Sequence, residues 1–107
     1  MFSDNVAEYL TKRSASLKAC RNAFVEIVSD INASLKEKES EIEAEDEKQL
    51  EIESLNNEVL GARYEDKSIT ITISNLEQEL GPAFNNATTE TFKNHMELII
   101  KKQLGLK

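Results

Sequence analysis

The chain has 107 residues, of which 39% are hydrophobic and 6% aromatic, and its formal net charge at pH 7 is −7. This length predicts one small folded unit, and the low hydrophobic fraction predicts a thin core that oligomerisation completes. The acidic balance disfavours direct binding to the phosphates of nucleic acids. No hydrophobic run approaches the ~20 residues that a membrane span needs.

The charge distribution and the cysteine content predict the compartment. Residues 1–30 contain acidic and basic side chains throughout, so the apolar core of a secretory signal peptide does not fit there. The single cysteine, Cys20, excludes a disulfide within the chain. We therefore expect a soluble, intracellular protein of the cytoplasm.

The longest predicted element is a helix over residues 6–60, a stretch without Gly or Pro. Apolar residues recur along its first half at alternating steps of four and three, which is the seam of a helix that packs against a partner helix. One seam position holds Arg13, where a charge typically sets the register or lies at the edge of a bundle. We predict that the seam is an oligomer interface comprising Val6, Leu10, Leu17, Cys20, Phe24, Ile27 and Ile31.

The second half of this stretch leaves two architectures open. Few seam positions between Lys36 and Gln49 are apolar, although helix-forming residues dominate. A continuous helix of about 55 residues would span on the order of 80 Å at ~1.5 Å per residue. Alternatively, the chain turns back near residues 32–40 into an antiparallel helical hairpin. We favour the continuous helix, with Gly61 as the residue that ends it.

The negative charge is concentrated in residues 36–58, which contain ten acidic and three basic side chains. The glutamates at every second position from 37 to 47 would spread over more than one face of a helix, so they do not converge on a catalytic centre. A solvated acidic surface is the simplest interpretation. The alternative is a docking surface for a basic partner protein, formed by Glu43, Glu45 and Glu47.

Residues 68–74 alternate strictly between isoleucine and hydroxyl side chains, which is typical of a strand. Ile69, Ile71 and Ile73 would then lie on one face, although Ile69 and Ile73 also fit helical spacing with Leu76. Because the sequence offers no second good strand, we expect the partner to be the same strand of another copy. Ile69, Ile71 and Ile73 thereby join the predicted oligomer interface.

Two helices are predicted after this strand. A short helix over residues 76–80 has Asn75 as its cap and ends at the Gly-Pro pair that follows it. A longer amphipathic helix begins at Thr88 or Thr89. Its apolar face and its C-terminal turn comprise Phe92, Met96, Ile99, Ile100, Lys101 and Lys102.

The sequence contains no recognisable catalytic or ligand-binding motif. His95 is the only histidine, and no Cys or His stands nearby to complete a metal site. The three glycines are far apart, so they do not form a phosphate-binding loop. We therefore predict a protein that is not an enzyme and that holds neither a metal nor a cofactor.

The whole pattern predicts a mainly α fold. A long coiled-coil helix, or alternatively an antiparallel helical hairpin, would occupy residues 1–61, and a small C-terminal strand-plus-helix cap would occupy residues 62–107. The expected function is that of a non-catalytic, oligomerising coiled-coil adaptor or structural interaction protein, which forms a homodimer or higher oligomer and binds another protein. The alternative is an acidic inhibitor, chaperone or regulator of a basic partner, for example a nucleic-acid-binding protein. Binding that weakens steeply with salt would favour the alternative.

Overall fold

The computed structural model describes residues 1–42 and 48–106, and this part of the chain is mainly helical. A long N-terminal helix precedes a small C-terminal region of strands and helices, which confirms the predicted fold class. The elements in chain order are α1 (Phe2–Ile42), β1 (Glu51–Leu55), β2 (Val59–Tyr64), β3 (Lys67–Thr72), α2 (Ile73–Leu80), a 3-10 helix (Gly81–Asn86) and α3 (Thr89–Leu104).

Helix α1 spans the longest dimension of the molecule. Its 41 residues extend roughly 62 Å at 1.5 Å per residue, against an overall extent of 63 Å. The helix ends at Ile42 and not near residue 60, and it does not turn back near residues 32–40. The predicted continuation of the helix to residue 60 and the predicted helical hairpin are therefore wrong, because residues 51–55 and 59–64 are strands despite their helix-forming composition.

The β1–β2 hairpin supplies the strands that the sequence pattern did not indicate. Asn56 organises its turn, since its Oδ1 atom accepts hydrogen bonds from the N–H groups of Glu58 and Val59, each at 2.8 Å. Gly61 consequently lies within β2, opposite Ser54, and does not end a helix. The boundary between the two predicted regions of the chain falls inside β2.

Strand β3 confirms the strand that the alternating isoleucines predicted. Its partner is β2 of the same chain, with Ile71 opposite Leu60 and Ile69 opposite Ala62. The expectation that this strand needs a second copy is wrong, because the sheet order is β1-β2-β3 within one chain. Ile73 begins α2 and does not continue the strand.

The caps of the C-terminal helices follow the local sequence. The Thr72 Oγ1 atom accepts a hydrogen bond from the Asn75 N–H at 3.3 Å, so Thr72 and not Asn75 caps α2. Helix α3 begins at Thr89, one of the two predicted starts, and Thr88 caps it, with its Oγ1 atom 3.2 Å from the Thr91 nitrogen. Gly105, at a φ of 70°, ends α3, because glycine adopts this left-handed conformation with little strain.

One continuous hydrophobic core joins α1, the sheet and the C-terminal helices. Phe24 of α1, Leu60 of β2 and Phe92 of α3 are fully buried in it. The rings of Phe84 and Phe92 meet edge to face, with their centroids 5.3 Å apart. The buried part of the α1 seam therefore packs against the sheet and α3 of the same chain, where the sequence pattern predicted a partner helix.

Two side-chain amides fasten the sheet to the long helices. Asn32 of α1 accepts a hydrogen bond from the Leu50 N–H at 2.7 Å and donates one to the Leu50 carbonyl at 3.1 Å. Gln103 of α3 accepts from the Thr70 N–H at 3.1 Å and donates to the Thr70 carbonyl. Each amide thus makes the two hydrogen bonds that the backbone of a neighbouring strand would make. The Gln103 amide occupies the outer edge of β3 at Thr70.

Candidate functional site

Helix α1 carries an apolar stripe that the core leaves uncovered. Phe2, Val6, Tyr9 and Leu10, here called the N-terminal stripe, lie within about 60° of Phe24 around the helix axis, at ~100° per residue. Phe24 is fully buried, whereas Phe2, Tyr9 and Leu10 are 83%, 52% and 57% exposed. The stripe therefore extends the core-facing side of α1 beyond the core itself.

Arg13 lies at the position along α1 where burial by the other elements of the chain ends. Its guanidinium forms an ion pair with the Glu77 carboxylate of α2 at 2.6 Å and lies 5.8 Å from the centre of the Phe84 ring. The hydrogen bond to Glu77 raises the pKa of the Arg13 guanidinium. The charge on the seam thus has its partner within the chain, and the pair fixes the position of α1 against α2.

A groove of about 410 Å³ runs beside the N-terminal stripe, between α1 and the 3-10 helix. Tyr9 and Lys12 line it from α1, and Pro82 and Asn85 line it from the other side. The Asn85 Oδ1 atom is buried and has no hydrogen-bond donor in the described part of the chain. The site therefore combines apolar side chains with one acceptor that still lacks a donor.

The predicted interface residues separate into two groups. Val6 and Leu10 are exposed and belong to the N-terminal stripe, so their role in association stays a prediction. Sequence reasoning missed Phe2 and Tyr9, although both continue the spacing that runs through Val6 to Arg13. The other predicted residues lie in the core or at its margin: Leu17, Cys20, Phe24, Ile27, Ile31, Ile69, Ile71 and Ile73.

The predicted acidic docking surface lies outside the described part of the chain. Glu43, Glu45 and Glu47 lie outside the described residues, so a basic partner bound there stays a prediction. Glu53, which belongs to the same acidic segment, lies on β1 and is paired with Arg63 of β2 at 2.5 Å. Part of the segment's charge is therefore neutralised within the sheet.

The remaining polar side chains do not form a metal site in the described part of the chain. Within residues 1–42 and 48–106, no group of three or more His, Cys, Asp or Glu side chains is arranged to hold a metal ion. The helices in those ranges are all too short or too polar to cross a membrane. The Nε2 atom of His95 is hydrogen-bonded to the Glu79 carboxylate, so the imidazole joins α3 to α2.

Cys20 is expected to be chemically inert in the folded protein. The side chain is fully buried, and burial raises the pKa of the thiol to about 12, so about one thiol in 10⁴ is ionised at pH 8. Ellman's reagent should label the folded protein at least about 100-fold more slowly than the urea-unfolded chain. Equal labelling rates would contradict a closed core around Cys20.

No protein-family description, curated protein or solved structure matches the chain.

Proposed function

We propose that this protein is a non-catalytic interaction protein that self-associates through the N-terminal stripe of α1. The supporting observation is the exposure of Phe2, Tyr9 and Leu10 on the side of α1 whose later residues are buried. Burying such a stripe against another apolar stripe lowers the free energy, because it removes apolar surface from water. The proposed occupant is a second copy of this chain, because the charged side chains beside the stripe are already paired within the chain, Lys12 with Glu8 and Arg13 with Glu77, and an uncharged stripe suits a partner that carries the same stripe.

The size of the stripe sets the strength of the association. Its side chains expose on the order of 400 Å² in each copy, and a symmetric pair would bury about 800 Å² in total. This area lies below the ~1,200 Å² at which stable interfaces begin. Because each copy has its own continuous core, the separated chain remains folded and the association is weak and reversible.

Replacing Leu10 by aspartate is expected to weaken self-association at least about tenfold, because the new charge would be buried in the interface without a partner. Leu10 is exposed in the single chain, so the helix content should stay unchanged. Sedimentation equilibrium from about 10 µM to 1 mM protein gives the dissociation constant, and circular dichroism gives the helix content.

The matched control is Ala15→Asp. Ala15 is exposed on the side of α1 away from the N-terminal stripe, so the same charge is introduced on the same helix outside the interface. This variant should keep the dissociation constant within about twofold of the parent value. A parent chain that stays monomeric at about 1 mM, or equal weakening by the two substitutions, would contradict association through the stripe.

A further inference from the structure

A second apolar groove, of about 680 Å³, lies between α2 and the C-terminal half of α3. Leu98, Ile99 and Leu106 line it, and Leu98 and Leu106 are 58% and 59% exposed. A lone exposed leucine needs no explanation, but two of them that share one groove form a patch that a partner can cover. This surface, defined by Leu98, Ile99, Leu106 and the charged residues around them, is called the α3 groove.

The rim of the α3 groove is positively charged in an otherwise acidic chain. Lys101 and Lys102 line the groove, and within the described ranges neither ammonium has a carboxylate at ion-pair distance. By contrast, Lys93 near the other end of α3 is paired with Asp30 at 2.9 Å. The position of Lys101 and Lys102 in the last turn stabilises the helix, but it leaves their N–H donors available to an acidic partner.

The edge of β3 beside the α3 groove already has its backbone groups occupied at Thr70. Gln103 also lines the groove, and its amide occupies both the N–H and the carbonyl of Thr70. An incoming strand would find no free backbone group at Thr70, and its own groups would stay unpaired. A helix satisfies its own backbone groups, so a helical segment suits the groove where a strand does not.

We propose that the α3 groove binds an acidic, amphipathic helix of a partner protein. That helix would bury apolar side chains spaced three or four residues apart against Leu98 and Leu106, while its carboxylates face Lys101 and Lys102. Glu79 lines the same groove, but its carboxylate is hydrogen-bonded to the His95 ring, so Lys101 and Lys102 carry the charge that is left for a partner. An anionic membrane would be attracted by the same two lysines, and it is the competing outcome in the test below.

The α3 groove shares no residue with the N-terminal stripe, so this binding does not depend on self-association. If the chain also pairs through α1, each pair would present two copies of the groove. Two grooves held together would bind a partner that carries two such helices more tightly than one groove does. The chain would then link partner molecules to one another.

Fluorescence anisotropy with two labelled synthetic peptides and the full chain tests this proposal. The acidic probe is a helical peptide with leucines spaced three or four residues apart and glutamate and alanine elsewhere. The comparison peptide has lysine at every glutamate position. We expect the acidic peptide to bind at least about tenfold more tightly at ~50 mM salt, and this preference should shrink as the salt concentration rises.

Two substitutions on α3 form a matched pair for the same assay. Leu98→Asp places a charge in the groove and should weaken binding of the acidic peptide at least about tenfold. Leu104→Asp makes the same change on the same helix, at a residue that is 40% exposed and does not line the groove, and should retain binding. Lys101→Gln combined with Lys102→Gln should remove the preference for the acidic peptide.

Three results would overturn the proposal: no binding of the acidic peptide at about 1 mM protein, equal affinity for the two peptides, or equal loss in the Leu98 and Leu104 variants. Vesicles with about 30% phosphatidylserine provide the membrane arm of the test. If the vesicles bind the chain, Leu98→Asp abolishes that binding, and the acidic peptide does not bind, the groove belongs to a membrane and the proposal fails. Circular dichroism of each variant verifies that the helices remain folded.

Discussion

Replacing Phe24 by alanine is expected to lower the free energy of unfolding by about 3–5 kcal/mol. Phe24 is fully buried in the core that joins α1 to the sheet and α3. The truncation removes its apolar contacts and leaves a cavity that neighbouring side chains fill only in part. A domain of this size has a total stability of about 5–15 kcal/mol, so the variant should be marginally folded. Urea denaturation followed by circular dichroism measures the change.

Phe2→Ala is the matched control, because it removes the same side chain from the same helix at a position that is 83% exposed. Its free energy of unfolding should stay within about 0.5 kcal/mol of the parent value, while self-association weakens. The two variants thus separate folding from association along one face of α1. Unchanged stability in Phe24→Ala together with lost association would mean that the seam is intermolecular, as the sequence alone predicted.

The elements that the sequence predicts well are encoded by residues close together in the chain. The alternation of Ile69 and Ile71 identifies β3, because one side of that strand is buried and the other is not. The start of α3 is predicted for a similar reason, because the Thr88 side chain accepts a hydrogen bond from the N–H of Thr91, only three residues further along the chain. None of these signals requires knowledge of what the element packs against.

The β1–β2 hairpin could not be predicted in the same way, because its stability comes from pairing between separate segments. Glu51 and Glu53 favour helix by composition, yet Glu51 pairs with Arg63 across the hairpin and Glu53 forms an ion pair with the same residue. Helix propensities differ by at most ~0.7 kcal/mol per ordinary residue, and the burial of Leu60 and Ala62 of β2 in the core outweighs a difference of that size. A weak local signal existed in Asn56 and Asn57, since asparagine favours turns.

The candidate site could be predicted only in part for a related reason. The spacing from Val6 to Ile31 identifies the apolar side of α1, but it does not tell which part of that side the chain's own core covers. The burial of α1 by the rest of the chain ends near Arg13, which forms an ion pair with Glu77 of α2 in the folded chain. No pattern within α1 encodes that contact. The α3 groove likewise exists only once α2 lies beside α3.

The contact between Asn32 and Leu50 shows how a polar residue on α1 serves the sheet. Leu50 is buried, and both of its backbone groups bind the Asn32 amide, at 2.7 and 3.1 Å. A partly buried N–H and carbonyl need one acceptor and one donor, and an asparagine side chain supplies both. An apolar residue at position 32 would extend the apolar face of α1 but would leave both Leu50 groups without partners.

Replacing Asn32 by alanine is therefore expected to lower the free energy of unfolding by about 1.5–5.5 kcal/mol. Each of the two unpaired Leu50 groups costs ~1–3 kcal/mol, and the better helix propensity of alanine offsets only ~0.5 kcal/mol. Asn22→Ala is the matched control, because Asn22 is exposed on the same helix, and it should change the stability by at most about 0.5 kcal/mol. Urea denaturation measures the free energy of unfolding of both variants.

Hydrogen exchange at the Leu50 N–H, followed by NMR, should become at least about tenfold faster in Asn32→Ala. A loss of stability below about 0.5 kcal/mol with unchanged exchange at Leu50 would mean that water replaces the amide, and that apolar packing alone holds α1 against the start of the sheet.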